Sequence, residues 1–362
     1  MTKFCIFCGN PPVTKNKEHI IPRWLIELTG APSRPINLLL FGDPRKPPIE
    51  MSFSSFYFPA CLACNEDFGR IEGKTKPVIL KMLNRDAVSR TEITLFLDWM
   101  DKIRIGLWLG IIYLGNNFFN VKPQFHVAKR IGGKDRMVVI YKSDQKMSGI
   151  GFIGVNFPVF IHGPSCFTLI INDLAFFNVS SEFLISRRLG FPYPSISTVR
   201  GYGQVECELQ PGMERAMCPL VNFSYSKLGV EVFQPIFNDK LSTTDEKDDR
   251  KKYYDTDYVR DWSLSHESGI GTPLIQKTKT LTKGPEFPSK IWYPEYCIPF
   301  NELSEMCLSQ TVKVQCKLIE ESPFGSDPRF QKMARTISNA NLKLLAAIEK
   351  TSIKKCMSNI DQ

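Results

Sequence analysis

The chain has 362 residues, 43% of them hydrophobic and 23% charged, which excludes a low-complexity or wholly disordered polymer and allows a sizeable core. At about 150 residues per domain the length predicts two domains, with room for a third. The formal net charge of +9 suits a polyanionic partner without requiring one; 13 Lys and Arg against 8 Asp and Glu place more than half of that excess in residues 1–90.

Met1-Thr2-Lys3 leads straight to a cysteine pair, with no apolar leader. The cysteines number 11, an odd count, and seven of them have no framework spacing. Free thiols in a reducing, cytoplasmic setting follow more naturally than disulfides. Cys5-x2-Cys8 with Gly9 reads as a tight metal-binding turn, and Pro11-Pro12 end it. Lys17 to His19 lead into Ile20-Ile21, which has strand character. Pro22 then opens a predicted helix over Arg23–Leu28, with Gly30 beyond its end. Residues 31–57 read as a loop with one strand near Met51 to Phe58, and a loop of that length in a compact unit is usually functional.

Cys61 to Gly73 is predicted to turn into a helix, with Cys64 or Asn65 at its start and Gly73 to Pro77 at its end. Residues 78–90 are basic and helical or mixed. Apolar residues recur at three and four from Ile93 to Ile111, which predicts a long helix over 91–114. The most apolar run, Ile103 to Phe119, carries Arg104 and three glycines, and its uncharged part falls short of the ~20 residues of a membrane span. It reads as a buried helix, and no membrane association is expected.

From about residue 118 the texture is that of strands: Met137 to Tyr141, Gly151 to Phe160, Phe167 to Asn172 and Leu174 to Val179. Residues 195–235 continue weakly in that style. Residues 239–252 are a charged, solvated loop, and Gly269 to Gly284 is another. An amphipathic helix over Met333 to Ile348 closes the chain. The expected organisation is a small unit over 1–90, a connecting helix over 91–118 and a β-rich domain over 119–362.

The chemistry concentrates in the first unit. Cys5, Cys8, Cys61 and Cys64 form two Cys-x2-Cys pairs, and zinc prefers four soft ligands in a tetrahedron, two from each pair. The competing reading is two unrelated pairs, given the long separation between them. Between the pairs lies Lys17-Glu18-His19-Ile20-Ile21-Pro22-Arg23, and Asn65 follows the second pair directly. Together these residues resemble the HNH endonuclease superfamily in its treble-clef version, over about residues 5–73.

The resemblance implies an N-terminal zinc-stabilised treble-clef ββα-metal module; with the strand-rich texture after it, the expected fold class is α+β, that module followed by a β-rich domain with flanking helices. The resemblance also implies His19 as the general base that activates water, since a neutral imidazole takes a proton near pH 7. Glu18 and Asn65 would hold a catalytic Mg2+ or Mn2+ ion, and Zn2+ would be structural. Family members often carry a third residue one turn after the asparagine; here Phe68 and Gly69 stand there. Glu72 shares Asn65's helix face but lies about 10 Å further along, so it is a tentative third ligand. Arg23, Lys15, Lys17, Arg70 and Lys74 are candidate phosphate contacts. Against these stand plainer readings: an idle histidine beside a strand, a helix-capping asparagine, ordinary surface charge, and a core role for Trp24.

The predicted activity is hydrolysis of a phosphodiester in nucleic acid, more readily DNA, by analogy with restriction or antiviral effectors. Two alternatives stand beside it. One is a zinc-dependent nucleic-acid-binding protein with no catalysis. The other is a nuclease silent until a ligand or partner engages the C-terminal domain, which could equally mediate homo-oligomerisation.

Overall fold

The computed structural model describes residues 4–11, 16–38, 48–123, 134–182, 193–199, 205–210, 228–234, 274–276, 281–282, 290–291, 294–322 and 328–358, a mixed α+β arrangement. The N-terminal part contains β1 (Lys17–His19), α1 (Arg23–Leu28), β2 (Pro35–Leu38), β3 (Ile49–Ser52) and β4 (Tyr57–Pro59), then α2 (Leu62–Leu83), β5 (Val88–Ser89) and α3 (Arg90–Leu114). β1 pairs antiparallel with β4, and β2 with β3. The stretch read as a loop therefore contains a pair of antiparallel strands, followed by a one-turn 3₁₀ segment at Phe53–Ser55.

α2 also differs from its reading. It runs through Gly73 and Pro77 to Leu83, because Phe68, Ile71, Thr75, Val78, Ile79 and Met82 make a continuous buried stripe. Gly73 and Pro77 both lie on its exposed side, where the carbonyl that Pro77 cannot bond meets water. Tertiary packing thus outweighs two helix breakers. α3 begins with a capping box. The Glu92 amide donates to Ser89 Oγ at 3.2 Å, and the Ser89 amide donates to Glu92 Oε2 at 2.7 Å.

The C-terminal part contains β6 (Lys134–Lys142), β7 (Ile150–Ile153), α4 (Pro158–His162), β8 (Cys166–Ile171), β9 (Leu174–Glu182), β10 (Tyr193–Val199) and β11 (Val205–Gln210). β12 (Val230–Gln234), β13 (Leu274–Gln276), β14 (Leu281–Thr282), β15 (Lys290–Ile291), α5 (Phe300–Glu320) and α6 (Pro328–Ser358) follow. Seven strands form one antiparallel sheet in the order β14-β13-β12-β6-β9-β8-β7. The predicted strand over Gly151 to Phe160 breaks after Ile153, because Gly154 sits at φ +90° and Pro158 opens α4. Two short strands, β13 and β14, occupy part of the Gly269–Gly284 stretch read as a loop. Residues 239–252 lie outside the described residues. The predicted terminal helix is the middle of α6.

α5 has no counterpart in the sequence reading. Its inward face mixes Leu303, Met306 and Val314 with Gln310, Thr311 and Gln315, so the apolar period is diluted. The polar members are buried because they find partners. Tyr141 Oη donates to Gln310 at 3.1 Å, Thr311 meets Thr168 at 2.7 Å, and Gln315 Nε2 donates to the Gly154 and Cys166 carbonyls at 2.9 and 2.8 Å.

α3 lies between the two parts. One buried cluster takes in Phe7, Ile20, Phe58 and Phe68, then Phe96, Ile103 and Leu107 of α3, then Val138, Ile140, Phe176 and Val232 of the sheet. The other sheet face, with Met137, Val139 and Tyr141, packs on Leu303, Met306 and Cys307 of α5. Charges fix α3 to the sheet: Arg136 Nη1 bonds Asp98 at 2.6 Å and Asp101 at 2.9 Å, while Arg104 reaches Asp101 at 2.6 Å and the Asn178 side chain at 2.5 Å. Burial alone would push the Arg136 guanidinium toward neutrality, but Asp98 and Asp101 raise its pKa.

Toward the N-terminal part α3 presents Gly106 and Gly110. A Cβ at Gly106 would lie 2.9 Å from Ile20 Cδ1, and one at Gly110 would lie 2.8 Å from the Phe58 ring. The glycines let the helix approach the β1–β4 pair. Gly110→Val is therefore expected to destabilise by about 1–3 kcal/mol through overpacking. Gly69→Ala, on the exposed side of α2 with nothing near its Cβ, is expected to stabilise by about 0.5–1 kcal/mol. Shifts of the urea midpoint in opposite directions check both.

Candidate functional site

The first turn after Phe4 is a knuckle. The Cys5 amide donates to the Asn10 carbonyl at 2.8 Å and the Gly9 amide to the Cys5 carbonyl at 2.9 Å, with Gly9 at φ +77°. The Ile6 amide donates to the Pro59 carbonyl at 3.0 Å, which ties the knuckle to β4. Two residues on, Cys61 caps α2, its Sγ accepting from the Cys64 amide at 3.5 Å. Cys64 follows within the first turn. The two Cys pairs therefore meet, and the reading of two unrelated pairs does not hold in space.

The four sulfurs lie within 4.8 Å of one another, and Cys8 and Cys61 are 3.6 Å apart. A tetrahedron with zinc–sulfur bonds of about 2.3 Å spaces its sulfurs about 3.8 Å apart, so the cluster has the size to hold a metal ion such as zinc. The sulfurs also shift one another's acidity. Hydrogen bonding from Cys64 lowers Cys5 to about 4, while Cys64 is pushed up by the same contact and Cys8 is raised to about 11, chiefly by burial. Four thiolates cannot coexist here without a cation to offset them.

β1 and β4 place the remaining residues. Glu18 pairs with Phe58 and is buried; His19 pairs with Tyr57 and is half-buried; Lys17 pairs with Pro59 and is exposed. Successive strand residues alternate faces, so His19 and Lys17 look outward and Glu18 inward. The outward face is a small cluster. The Lys17 ammonium donates to Tyr57 Oη at 3.1 Å, and the His19 and Tyr57 rings meet edge to face at 5.3 Å. His19 Nε2 lies 3.4 Å from the Ser54 carbonyl. Donation from Nε2 to that oxygen selects the tautomer with a lone pair on Nδ1. Burial lowers the His19 pKa below its ordinary 6.5, outweighing the Ser54 contact that raises it, so the ring is neutral near pH 7.

Glu18 meets the fully buried ammonium of Lys102, on α3, at 2.9 Å. Glu72 meets the same ammonium at 2.7 Å. Lys102 also donates to the His19 and Ile20 carbonyls at 2.7 and 2.9 Å. Burial alone would lower the Lys102 pKa, but Glu72 and then Glu18 more than reverse it, and the group stays charged. Burial raises Glu72 against the pull of Lys102. Asn65 Nδ2 donates to the Lys17 carbonyl at 3.2 Å, clamping β1 to α2.

The structure thus brings Glu18, Glu72 and His19 around one lysine, but does not gather Glu18, Asn65 and Glu72 around an open ion position. Among the described residues the four cysteines are the one cluster of three or more His, Cys, Asp or Glu with metal-holding proximity. Because the Lys102 ammonium already engages both Glu18 and Glu72, the donors expected for Mg2+ or Mn2+ do not fit such an ion as they stand. Phe68 is a core side chain, its ring 4.3 Å from that of Phe7 and tilted by 58° to it. Arg23 projects into solvent beside Glu27, close enough to His19 to lower its pKa. Arg70 pairs with Asp67, and Arg70 and Lys74 sit on the exposed side of α2. Trp24 is half-buried against the core. Lys15 lies outside the described residues.

Lys102 and Tyr57 did not emerge from the sequence. The usable signal for Lys102 was its place on the i, i+4 row with Gly106 and Gly110. A glycine row marks close approach by another element, and a lysine heading it needs buried oxygen partners. Compared with protein-family models, curated proteins and solved structures, the chain matches none.

The purified chain is expected to carry about one zinc ion, and Cys64→Ser to carry almost none and melt at lower temperature. Elemental analysis and a thermal melt check this. Because thiolates bind the metal and thiols do not, zinc should be released as pH falls and retained as it rises.

Proposed function

We propose that the chain is a nucleic-acid phosphodiesterase of the HNH kind, its N-terminal part a treble-clef unit organised on structural zinc. What supports the reading is a neutral His19 imidazole carried outward on β1, which Asn65 and Lys102 bond directly and which pairs with β4, itself tied to the cysteine knuckle. In this reading Nδ1 of His19 accepts a proton from the water that attacks phosphorus. Lys17, donated to Tyr57 on the same face, and solvent-exposed Arg23 sit where phosphate oxygens would approach. Arg70 and Lys74 extend the positive surface along α2 without reading sequence. Glu18 is engaged by Lys102, so the steps assigned to this chain are those of His19 and its cationic neighbours.

A second reading, a zinc-dependent nucleic-acid-binding protein without catalysis, is favoured by one observation. Lys102 engages both carboxylates that would otherwise serve an ion. Cleavage assays separate the two. Incubated with single- and double-stranded DNA and RNA, with and without Mg2+ and Mn2+, wild type is expected to cut. His19→Ala is expected to lose at least about 100-fold in rate while keeping its zinc and its retention of DNA. Binding with no cleavage under any of these conditions would favour the second reading.

The pH profile gives the sign of the His19 role. The base works only when unprotonated, so activity should be full above its pKa and fall as pH drops through a value below 6.5. An acid limb at or above the ordinary histidine value would contradict the burial of the ring.

A further inference from the structure

We infer that the ammonium of Lys102 is the resident cation of the Glu18–Glu72 pair, so that this chain keeps by a side chain the place that a divalent ion would take. The inference rests on the proposed phosphodiesterase only for its consequence to catalysis; the contacts carry it by themselves. Lys102 Nζ faces four oxygens: Glu18 Oε1 at 2.9 Å, Glu72 Oε1 at 2.7 Å, the His19 carbonyl at 2.7 Å and the Ile20 carbonyl at 2.9 Å. Its one other neighbour of note is the Phe68 ring, with the centroid at 5.5 Å. Three N–H donors meet four acceptors, and the ammonium is fully buried.

Two carboxylates and two carbonyls on one centre are hard oxygen donors of the kind that bind Mg2+ or Mn2+. Here the cation sits at hydrogen-bond distances, not the roughly 2.0–2.1 Å of a magnesium–oxygen bond. A second cation cannot share the position, because two like charges at such range in a buried site repel strongly and neither is hydrated. Nor does the lysine swing aside freely. Its whole side chain is buried, with no exposed surface. Leaving would strand the buried Glu18 carboxylate, the half-buried Glu72 carboxylate and two carbonyls.

Lys102 is therefore a positioning residue for His19. It bonds the His19 carbonyl directly, and it joins β1, α2 and α3 at one point. Glu18 is the inward counterpart of the outward imidazole, and what holds Glu18 fixes the strand that carries the ring.

The test is Mn2+ binding by the zinc-loaded full chain without nucleic acid, followed by loss of the free-ion paramagnetic resonance signal. Manganese is chosen because thiolates disfavour it, which leaves the cysteine cluster to zinc. Wild type and Glu72→Gln should take up Mn2+ equally, since neither offers the pair to it. Lys102→Ala and Lys102→Ser should each gain one ion per chain, at least about tenfold tighter than any site of wild type, and Glu72→Gln added to either should remove it. Mn2+ held by wild type and lost in Glu72→Gln would overturn the inference, as would a folded, zinc-retaining Lys102 variant that gains nothing. Should neither variant fold, the comparison of wild type with Glu72→Gln decides alone. No cleavage enters the readout, so failure here is distinct from failure of the phosphodiesterase reading.

Discussion

A single buried ammonium, that of Lys102, joins the three elements on which the N-terminal part is built. β1 contributes Glu18 and the His19 carbonyl, the residue after it the Ile20 carbonyl, α2 contributes Glu72, and α3 contributes the lysine itself. Taking three charges out of water is costly, and the geometry offsets that cost only because every donor is engaged. The gain lies in registry more than in stability. A strand of three residues cannot fix its own register, yet Glu18 must face inward for the salt bridge to form, and His19 then has to face outward.

The same helix carries charge on its other side. Asp98, Asp101 and Arg104 engage Arg136 and Asn178 of the sheet. α3 thus has a lysine and two glycines toward the small unit and an ion network toward the sheet, with apolar residues between. This explains why the buried cluster is continuous from Phe7 to Val232. The four-cysteine cluster adjoins the same core, since Cys5, Ile6, Phe7 and Cys64 are members of it. The knuckle, the strand pair and α2 are consecutive links in one chain of contacts, through the Ile6–Pro59 bond and the Cys61 cap.

Much of this was legible in the sequence, and the exceptions have physical reasons. The Cys-x2-Cys pairs announced their own meeting because thiol spacing is short-range chemistry. α1 followed from Pro22 and Gly30 at its ends, α3 from apolar residues recurring at three and four, and the strands around Met137, Phe167 and Leu174 from runs rich in β-branched and aromatic residues. α2 outran its reading because burial of Ile71 to Met82 overrides an exposed glycine and proline. α5 was hidden because its buried glutamines and threonines look like surface until their partners on β8 and the β6 tyrosine are known. For the candidate site, residue types were readable but partners were not. Glu18 and His19 are neighbours in sequence and point to opposite faces. Lys102, over eighty residues away, turns a carboxylate that looked like an ion ligand into a lysine's partner.

Anomalous diffraction from crystals grown with both Zn2+ and Mn2+ bears most directly on the role given to Lys102. Data at the two absorption edges should show zinc among Cys5, Cys8, Cys61 and Cys64, and density between Glu18 and Glu72 continuous with the Lys102 side chain and without a manganese signal. A manganese peak between the two carboxylates, with Lys102 turned away, would contradict the account at its centre.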